Sequence, residues 1–267
     1  MGANRWIAAV SGKNTPNLCV TDWIHRATAA ALEAVLPQRC ELCLLPSGSS
    51  LPLCTHCRAA LTVNIHPCAG CALPLPPYAG KPRWCPHCLA AERPFTSITA
   101  PFVYDANLAY LVSRWKYQRQ AQLVTLLSAL WLDAVATTLP EVDLLVTVPL
   151  HWSRRMQRGF NQSEMLLLAL RSADDALAAI ALDPRRIKKC KRTAAQVGQT
   201  ADARHRALAG AFTVTQRCDN LRIAVIEDVV TTGATATATS QALINAGAAE
   251  VHIWCLARTP SPESTKA

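Results

Sequence analysis

Apolar and polar positions divide the chain into three regimes. Thr21–Leu36, "TDWIHRATAAALEAVL", has helical periodicity. Thr21 or Asp22 can cap its start and Pro37 stops it. Between Cys40 and Cys88 the periodicity disappears. Beyond Pro94 it returns as buried runs alternating with amphipathic ones. "SITAPFVYD" reads as a strand, and Asn107–Leu139 as helix with a break near Gln118–Gln120. "VDLLVTVPL" (Val142–Leu150) is apolar without alternation, as in a strand covered on both faces. A helix, "SEMLLLALRSADDALAAI", follows, and then a second buried strand, "LRIAVIEDV". "ATATATSQALINAG" is a helix closed by Gly247, and "AEVHIWCLART" a further strand. Strands alternating with helices predict an α/β domain built on a mainly parallel sheet with flanking helices. The expected organisation is an N-terminal segment with one helix (1–36), a cysteine-rich module (37–92), an α/β domain (93–260) and a short tail (261–267).

The middle regime changes the picture because of its composition. It holds eight of the chain's 12 cysteines and eight prolines. The cysteines form four C-x2-C pairs: Cys40/Cys43, Cys54/Cys57, Cys68/Cys71 and Cys85/Cys88. A C-x2-C turn puts two thiolates on one knuckle, and two knuckles make a tetrahedral all-sulfur cage for Zn2+. Eight thiolates fit two such cages. Pairing the knuckles in sequence order is the simplest assignment, and crossed pairings remain open. Four-cysteine cages leave no open coordination position, so the expected role is structural. His56 and His87 lie inside knuckles and read as spacers. Cys19, Cys190, Cys218 and Cys255 stand alone and read as small apolar fillers or ordinary surface thiols.

About half of the 267 residues are apolar and 17% are charged, which excludes a disordered chain. A formal charge of +9 favours an anionic partner without naming it. The first residues lack a basic segment leading into a sustained apolar one, and no apolar run is long enough to span a bilayer. A cytoplasmic protein without membrane insertion is expected, where paired cysteines hold metal more often than they form disulfides.

The most informative stretch is Val225–Thr235, "VIEDVVTTGAT". A buried strand runs into two carboxylates, Glu227 and Asp228, and then into Thr231, Thr232, Gly233, Ala234 and Thr235 at the start of a helix. Free N–H groups and the dipole at a helix N-terminus favour a phosphate, and Gly233 allows close approach. Ionised carboxylates only accept hydrogen bonds and suit a vicinal diol. Diol and phosphate together describe ribose 5-phosphate. G-x-x-x-x-G-K-[ST] and G-x-G-x-x-G are both missing, which argues against a P-loop or a dinucleotide site. Arg154, Arg155 and Arg158 follow the first buried strand, where guanidinium groups suit pyrophosphate. Six basic residues within Arg185–Arg192, Arg192 among them, precede a stretch of small and polar residues with the composition of a lid.

The Val225–Thr235 stretch resembles the 5-phosphoribosyl 1-pyrophosphate (PRPP) motif of type I phosphoribosyltransferases. With "FVYD" before a helix carrying Lys116–Tyr117, "RRMQRGFNQSEMLL", "RTAAQ" and "ARHRALAGAF", the chain resembles the ComF (GntX-like) family over roughly Leu36–Arg258. Ala207 departs from that pattern, where the family more often has Asn. The resemblance implies a double zinc ribbon followed by a type I phosphoribosyltransferase-like domain, with a link to natural competence and DNA uptake. It implies that Glu227 and Asp228 bind the ribose hydroxyls, that Thr231–Thr235 bind the 5-phosphate, and that Mg2+ accompanies PRPP. The acceptor is not implied, and no residue stands out as a general base. The competing expectation is a module binding single-stranded DNA, with basic loops tracking phosphates and Trp84, Trp152 or Tyr117 stacking on bases. Other DNA-uptake proteins are further expected partners. A PRPP sensor acting on transcription is a third reading, and no helix-turn-helix pattern supports it.

Overall fold

A computed structural model describes residues 38–77, 83–118, 120, 122–135, 139–150, 156, 159–190, 206–208 and 210–261. The expected helix at Thr21–Leu36 lies outside them. The cysteine-rich segment carries two short helices, α1 (Thr55–Ala59) and α2 (Pro86–Ala90). Then come β1 (Ser97–Thr99), β2 (Phe102–Val103), α3 (Ala106–Tyr117), α4 (Leu123–Val135), β3 (Leu144–Thr147), α5 (Gln162–Ala173), α6 (Asp175–Ala179) and β4 (Ala181–Leu182). They are followed by β5 (Ile187–Lys189), β6 (Phe212–Val214), β7 (Arg222–Val230), α7 (Ala234–Asn245) and β8 (Glu250–Arg258).

The six-stranded sheet runs β1-β8-β7-β3-β4, with β2 also paired to β8, and every pair in it is parallel. β5 and β6 form a separate antiparallel pair. The α/β architecture expected from the alternating pattern is therefore present. "SITAPFVYD" becomes two strands on the same neighbour because Pro101 cannot donate to the ladder. The helix over Asn107–Leu139 breaks where expected, between Tyr117 and Leu123. The helix expected after β3 is two helices: Asp174 takes an extended conformation, and its carboxylate accepts from Leu177 N–H to start α6.

β3 leads through α5 and α6 to β4, on its outer side, whereas β7 leads through α7 to β8, on the opposite side. The connections thus diverge between β3 and β7. That is a topological switch point, where parallel sheets open a crevice beyond their carboxyl ends.

The pleat sends alternate residues into two apolar layers. Leu145, Ala224, Ile226, Trp254 and Leu256 pack with α3, α4 and α5 on one face. Val146, Ile223, Val225, Val251 and Ile253 pack with α7 on the other. Each layer takes in one cysteine group. Cys40 and Cys57 join the first, and Cys68, Cys71, Cys85 and Cys88 the second. The cysteine-rich segment is thus fastened to both sides of the sheet. Asn64, buried between the two groups, donates through Nδ2 to Ala72 O (2.8 Å) and Ala100 O (3.1 Å), and its own N–H donates to Pro101 O. Arg114 on α3 reaches Glu41 in the first knuckle at 2.7 Å.

Replacing Asn64 with Ala strands two buried carbonyls. The expected loss is about 2 kcal/mol in a urea titration, with an unchanged denaturant slope.

Candidate functional site: two cysteine cages and a crevice at the end of β7

The cysteine groups are built alike. In the first knuckle Leu44 N–H donates to Cys40 O and Cys40 N–H to Leu45 O; in the third, Ala72 N–H donates to Cys68 O and Cys68 N–H to Leu73 O. Leu44 and Ala72 both take positive φ, at 64° and 53°. In the second and fourth knuckles, Cys54 and Cys85 occupy the N-cap positions of α1 and α2. The segment is therefore a tandem repeat, echoed in "CTHCRAA" and "CPHCLAA". Beyond the C-x2-C spacing only this short stretch is shared, so the repeat is easily missed in the sequence.

The knuckles pair in chain order, giving Cys40/Cys43/Cys54/Cys57 and Cys68/Cys71/Cys85/Cys88. Within each group all sulfurs lie within 4.8 Å of one another. Cys43 and Cys54 Sγ are 3.8 Å apart, and Cys71 and Cys85 Sγ 3.6 Å. A tetrahedron with metal–sulfur bonds of about 2.3 Å has edges of roughly 3.8 Å, so the donor sets fit Zn2+. Thiol chemistry agrees. The hydrogen bond from Cys71 pulls Cys68 well below the ordinary thiol range, and that same bond, with burial and the Cys68 charge, pushes Cys71 up. Four packed sulfurs cannot all ionise unless a cation joins them. His56 and His87 stay exposed outside both groups, as the spacer reading expects. At the second group, Arg93 Nη1 donates to Cys88 Sγ at 3.3 Å and its guanidinium stacks 4.6 Å over Trp84.

The second candidate lies in the crevice. The expected strand end at Ile226 is where β3 stops pairing, with Thr147 opposite Ile226. β7 continues to Val230 on β8 alone, with Glu227 opposite Cys255 and Val230 opposite Arg258. The two acids therefore sit inside a strand whose β3 side has become free, not after its end.

Their contacts differ. Asp228 pairs with Lys116 Nζ on α3 at 2.5 Å and also accepts from Val229 N–H. Glu227 lies on the side of Thr235 and α7 and is only 9% exposed. Its Oε2 has no hydrogen-bond partner among the described residues. Burial, and then the neighbouring Asp228 charge, push Glu227 up to about 8. The raised value favours the protonated form at neutral pH, which can donate as well as accept, whereas the sequence reading has both carboxylates ionised. Tyr104, half-buried near Lys116 and Asp228, is also raised by burial.

After β7 the chain turns through Thr231 and Thr232 into α7. Gly233 is the N-cap at φ 82° and has no side chain to cap the helix. A Cβ at Gly233 would meet nothing within 4 Å, so the turn faces open space. Thr232 Oγ1 accepts from Ala234 N–H at 3.4 Å. Glu227, Asp228, Thr231, Thr232, Gly233, Ala234 and Thr235 thus form one continuous lip at the switch point. Arg154, Arg155, Arg158 and Arg192 lie outside the described residues, as does most of the expected lid; β5 and β6 pair at its two ends. Lys116 was visible only as part of a motif. Its ion pair with Asp228 joins residues 112 positions apart, which no local spacing announces.

Comparison with known proteins decides the family. The chain is 35% identical over 232 residues to DNA utilization protein YhgH of Salmonella typhi, covering 84% of this chain and 98% of that protein. It is 31% identical over 230 residues to DNA utilization protein YhgH of Escherichia coli K12, with the same coverage. Competence protein F of Haemophilus influenzae matches at 30% over 226 residues, 77% of this chain and 96% of that protein. The chain belongs to the ComF family. No family model matches it. Among the described residues, no helix of this ComF-family chain is long and apolar enough to cross a membrane.

Two measurements check the site. Metal analysis of the purified protein should find two equivalents per chain, and Cys71→Ser should lose one of them. For Glu227, the folded state keeps a proton that the unfolded chain releases above its ordinary value near 4.5. The acid therefore lowers stability progressively from about pH 4.5 to about 8, and its effect is constant above that. The stability advantage of Glu227→Gln over wild type, read from urea titrations, should grow across that window and then level off.

Proposed function

We propose that the crevice binds PRPP and that the protein is a phosphoribosyltransferase-type component of DNA uptake or utilisation. The observation that carries this reading is the overhang of β7: acids on a strand freed of one neighbour lead directly into an uncapped helix N-terminus around Gly233. In this assignment the 5-phosphate sits on the N–H groups and hydroxyls of Thr231–Thr235. Asp228 accepts from a ribose hydroxyl. Glu227, protonated, offers both a donor and an acceptor without adding charge near a polyanion.

Lys116 is the nearest cation to this lip that the ion pairs identify. It neutralises Asp228 in the empty crevice and can turn to the pyrophosphate when a diol takes its place. Arg154, Arg155, Arg158 and Arg192 are the further candidates for the pyrophosphate. Mg2+ bound with PRPP would supply positive charge that stabilises the leaving pyrophosphate. The chain's own contribution is positioning and charge balance. The two cysteine cages hold structural Zn2+. The link to DNA comes from the names of the relatives, DNA utilization protein and Competence protein F. Single-stranded DNA and other uptake proteins are proposed as partners on that basis.

Calorimetric titration with PRPP and Mg2+ tests the reading. Micromolar binding is expected, weakened roughly tenfold or more by Asp228→Asn and by Gly233→Val, whose Cβ is strained at positive φ. Lys116→Ala should weaken PRPP more than ribose 5-phosphate. Equal binding of PRPP by the Asp228→Asn and Gly233→Val proteins would overturn the assignment. Binding of single-stranded oligonucleotides with a steep salt dependence, in the absence of PRPP binding, would favour the DNA module instead.

A further inference from the structure

The last residue of β8, Arg258, is 8% exposed and takes no part in any ion pair among the described residues. Its guanidinium is instead spent on backbone carbonyls. Nε donates to Cys71 O at 3.1 Å. Nη1 donates to Val230 O at 3.1 Å, to Thr231 O, and to Thr259 O at 3.3 Å. One end of this side chain therefore holds the third knuckle, inside the second cysteine cage. The other end holds the two peptides that open the turn between β7 and α7.

A trans peptide fixes the N–H opposite to the C=O. With Thr231 O drawn onto the guanidinium, the N–H of Thr232 must face away from it. That N–H donates to no acceptor among the described residues. Hydrogen bonds from a charged donor are stronger than neutral ones, and burial removes competing water. The orientation of the turn thus rests on a guanidinium whose other partner is a carbonyl of a cage residue. Cys71 O is carried by a knuckle whose two sulfurs belong to the second cage, so a metal there would help to fix it.

We propose that Arg258 is a positioning residue that makes the phosphate-binding turn depend on metal in the second cysteine cage. The first cage packs in the opposite layer and has no such strut among the described residues. Metal loss there leaves the turn formed. This inference rests on the assignment of Thr231–Thr235 as a phosphate site, but its structural half can be read without any ligand.

Hydrogen exchange of peptides covering Asp228–Thr237, followed by mass spectrometry, gives that reading. Cys88→Ser, which opens the second cage, should speed exchange in the turn, whereas Cys43→Ser, which opens the first, should not. Arg258→Lys keeps the charge but cannot span the same carbonyls. It should retain two metals and native protection in β3 and α5, yet exchange in the turn as fast as Cys88→Ser. Ribose 5-phosphate affinity should fall roughly tenfold or more in Arg258→Lys and Cys88→Ser only. Turn protection unchanged in metal-replete Arg258→Lys, or lost equally in Cys43→Ser, would overturn the proposal. If Cys88→Ser unfolds globally, Arg258→Lys decides alone. Coupled exchange with no binding of PRPP or ribose 5-phosphate by any form would uphold the strut and overturn the ligand assignment.

Discussion

The site depends on one mismatch of length. β3 pairs with β7 for four residues and stops, while β7 and β8 run nine residues each. A strand with neighbours on both sides has its backbone groups consumed on both edges. Once β3 ends, β7 is held by β8 alone and borders the crevice at the switch point. Glu227 and Asp228 fall in that overhang. Had β3 been two residues longer, the backbone of both acids would be hydrogen-bonded on both edges and the crevice beside them closed. Val148 N–H still donates to Ile226 O, marking the last contact before the two strands part.

The overhang needs support from the other side, and the cysteine-rich segment supplies some of it. A short, proline-rich stretch buries little apolar surface of its own, so metal binding is its natural source of order. Here the segment also splits its two cages between the two layers of the sheet. Ile98 N–H of β1 donates to Gly70 O in the second cage, and Val103 N–H of β2 to Thr62 O between the cages. Gly70 has no room for a Cβ, because the Arg93 side chain lies against it. The sheet edge and the cages therefore define each other's position.

Much of this was legible in the sequence, for identifiable reasons. Short apolar runs rich in Val and Ile, such as "LLVT" and "IAVI" between polar or turn residues, read as strands covered on both faces, and C-x2-C spacing is set by knuckle geometry alone. The order acid–acid–turn–helix around Gly233 is local too, so it survived intact. What failed to show is set by distant pairing. The end of β7 is fixed by how far β8 extends, and the Glu227 proton depends on burial against Cys255 and α7. Lys116 meets Asp228, and Arg258 meets Cys71, only once the sheet has assembled. Arg258 falls at the end of the last strand expected from the sequence. It is as buried as Glu227, because carbonyls from three separate segments converge on it.

Two adjacent acids at the end of a buried strand ought to repel each other. The pleat, a proton and a lysine remove the conflict. Successive side chains leave a strand on opposite faces, so Asp228 meets Lys116 of α3 while Glu227 turns towards Thr235. Burial then keeps Glu227 neutral near physiological pH, and Lys116 balances Asp228. With Arg258 on the Thr231 carbonyl as well, these groups leave the crevice net positive before any ligand arrives, and a ligand must displace Lys116 to use Asp228. A neutral sugar would leave that ammonium group without a partner, at a cost comparable to the hydrogen bonds gained. A pentose carrying phosphates on both sides of its diol gives Lys116 a new anion as it releases the old one. On the proposed assignment, this exchange of partners, more than the number of hydrogen bonds offered, is what would make a phosphorylated sugar the better match to the crevice.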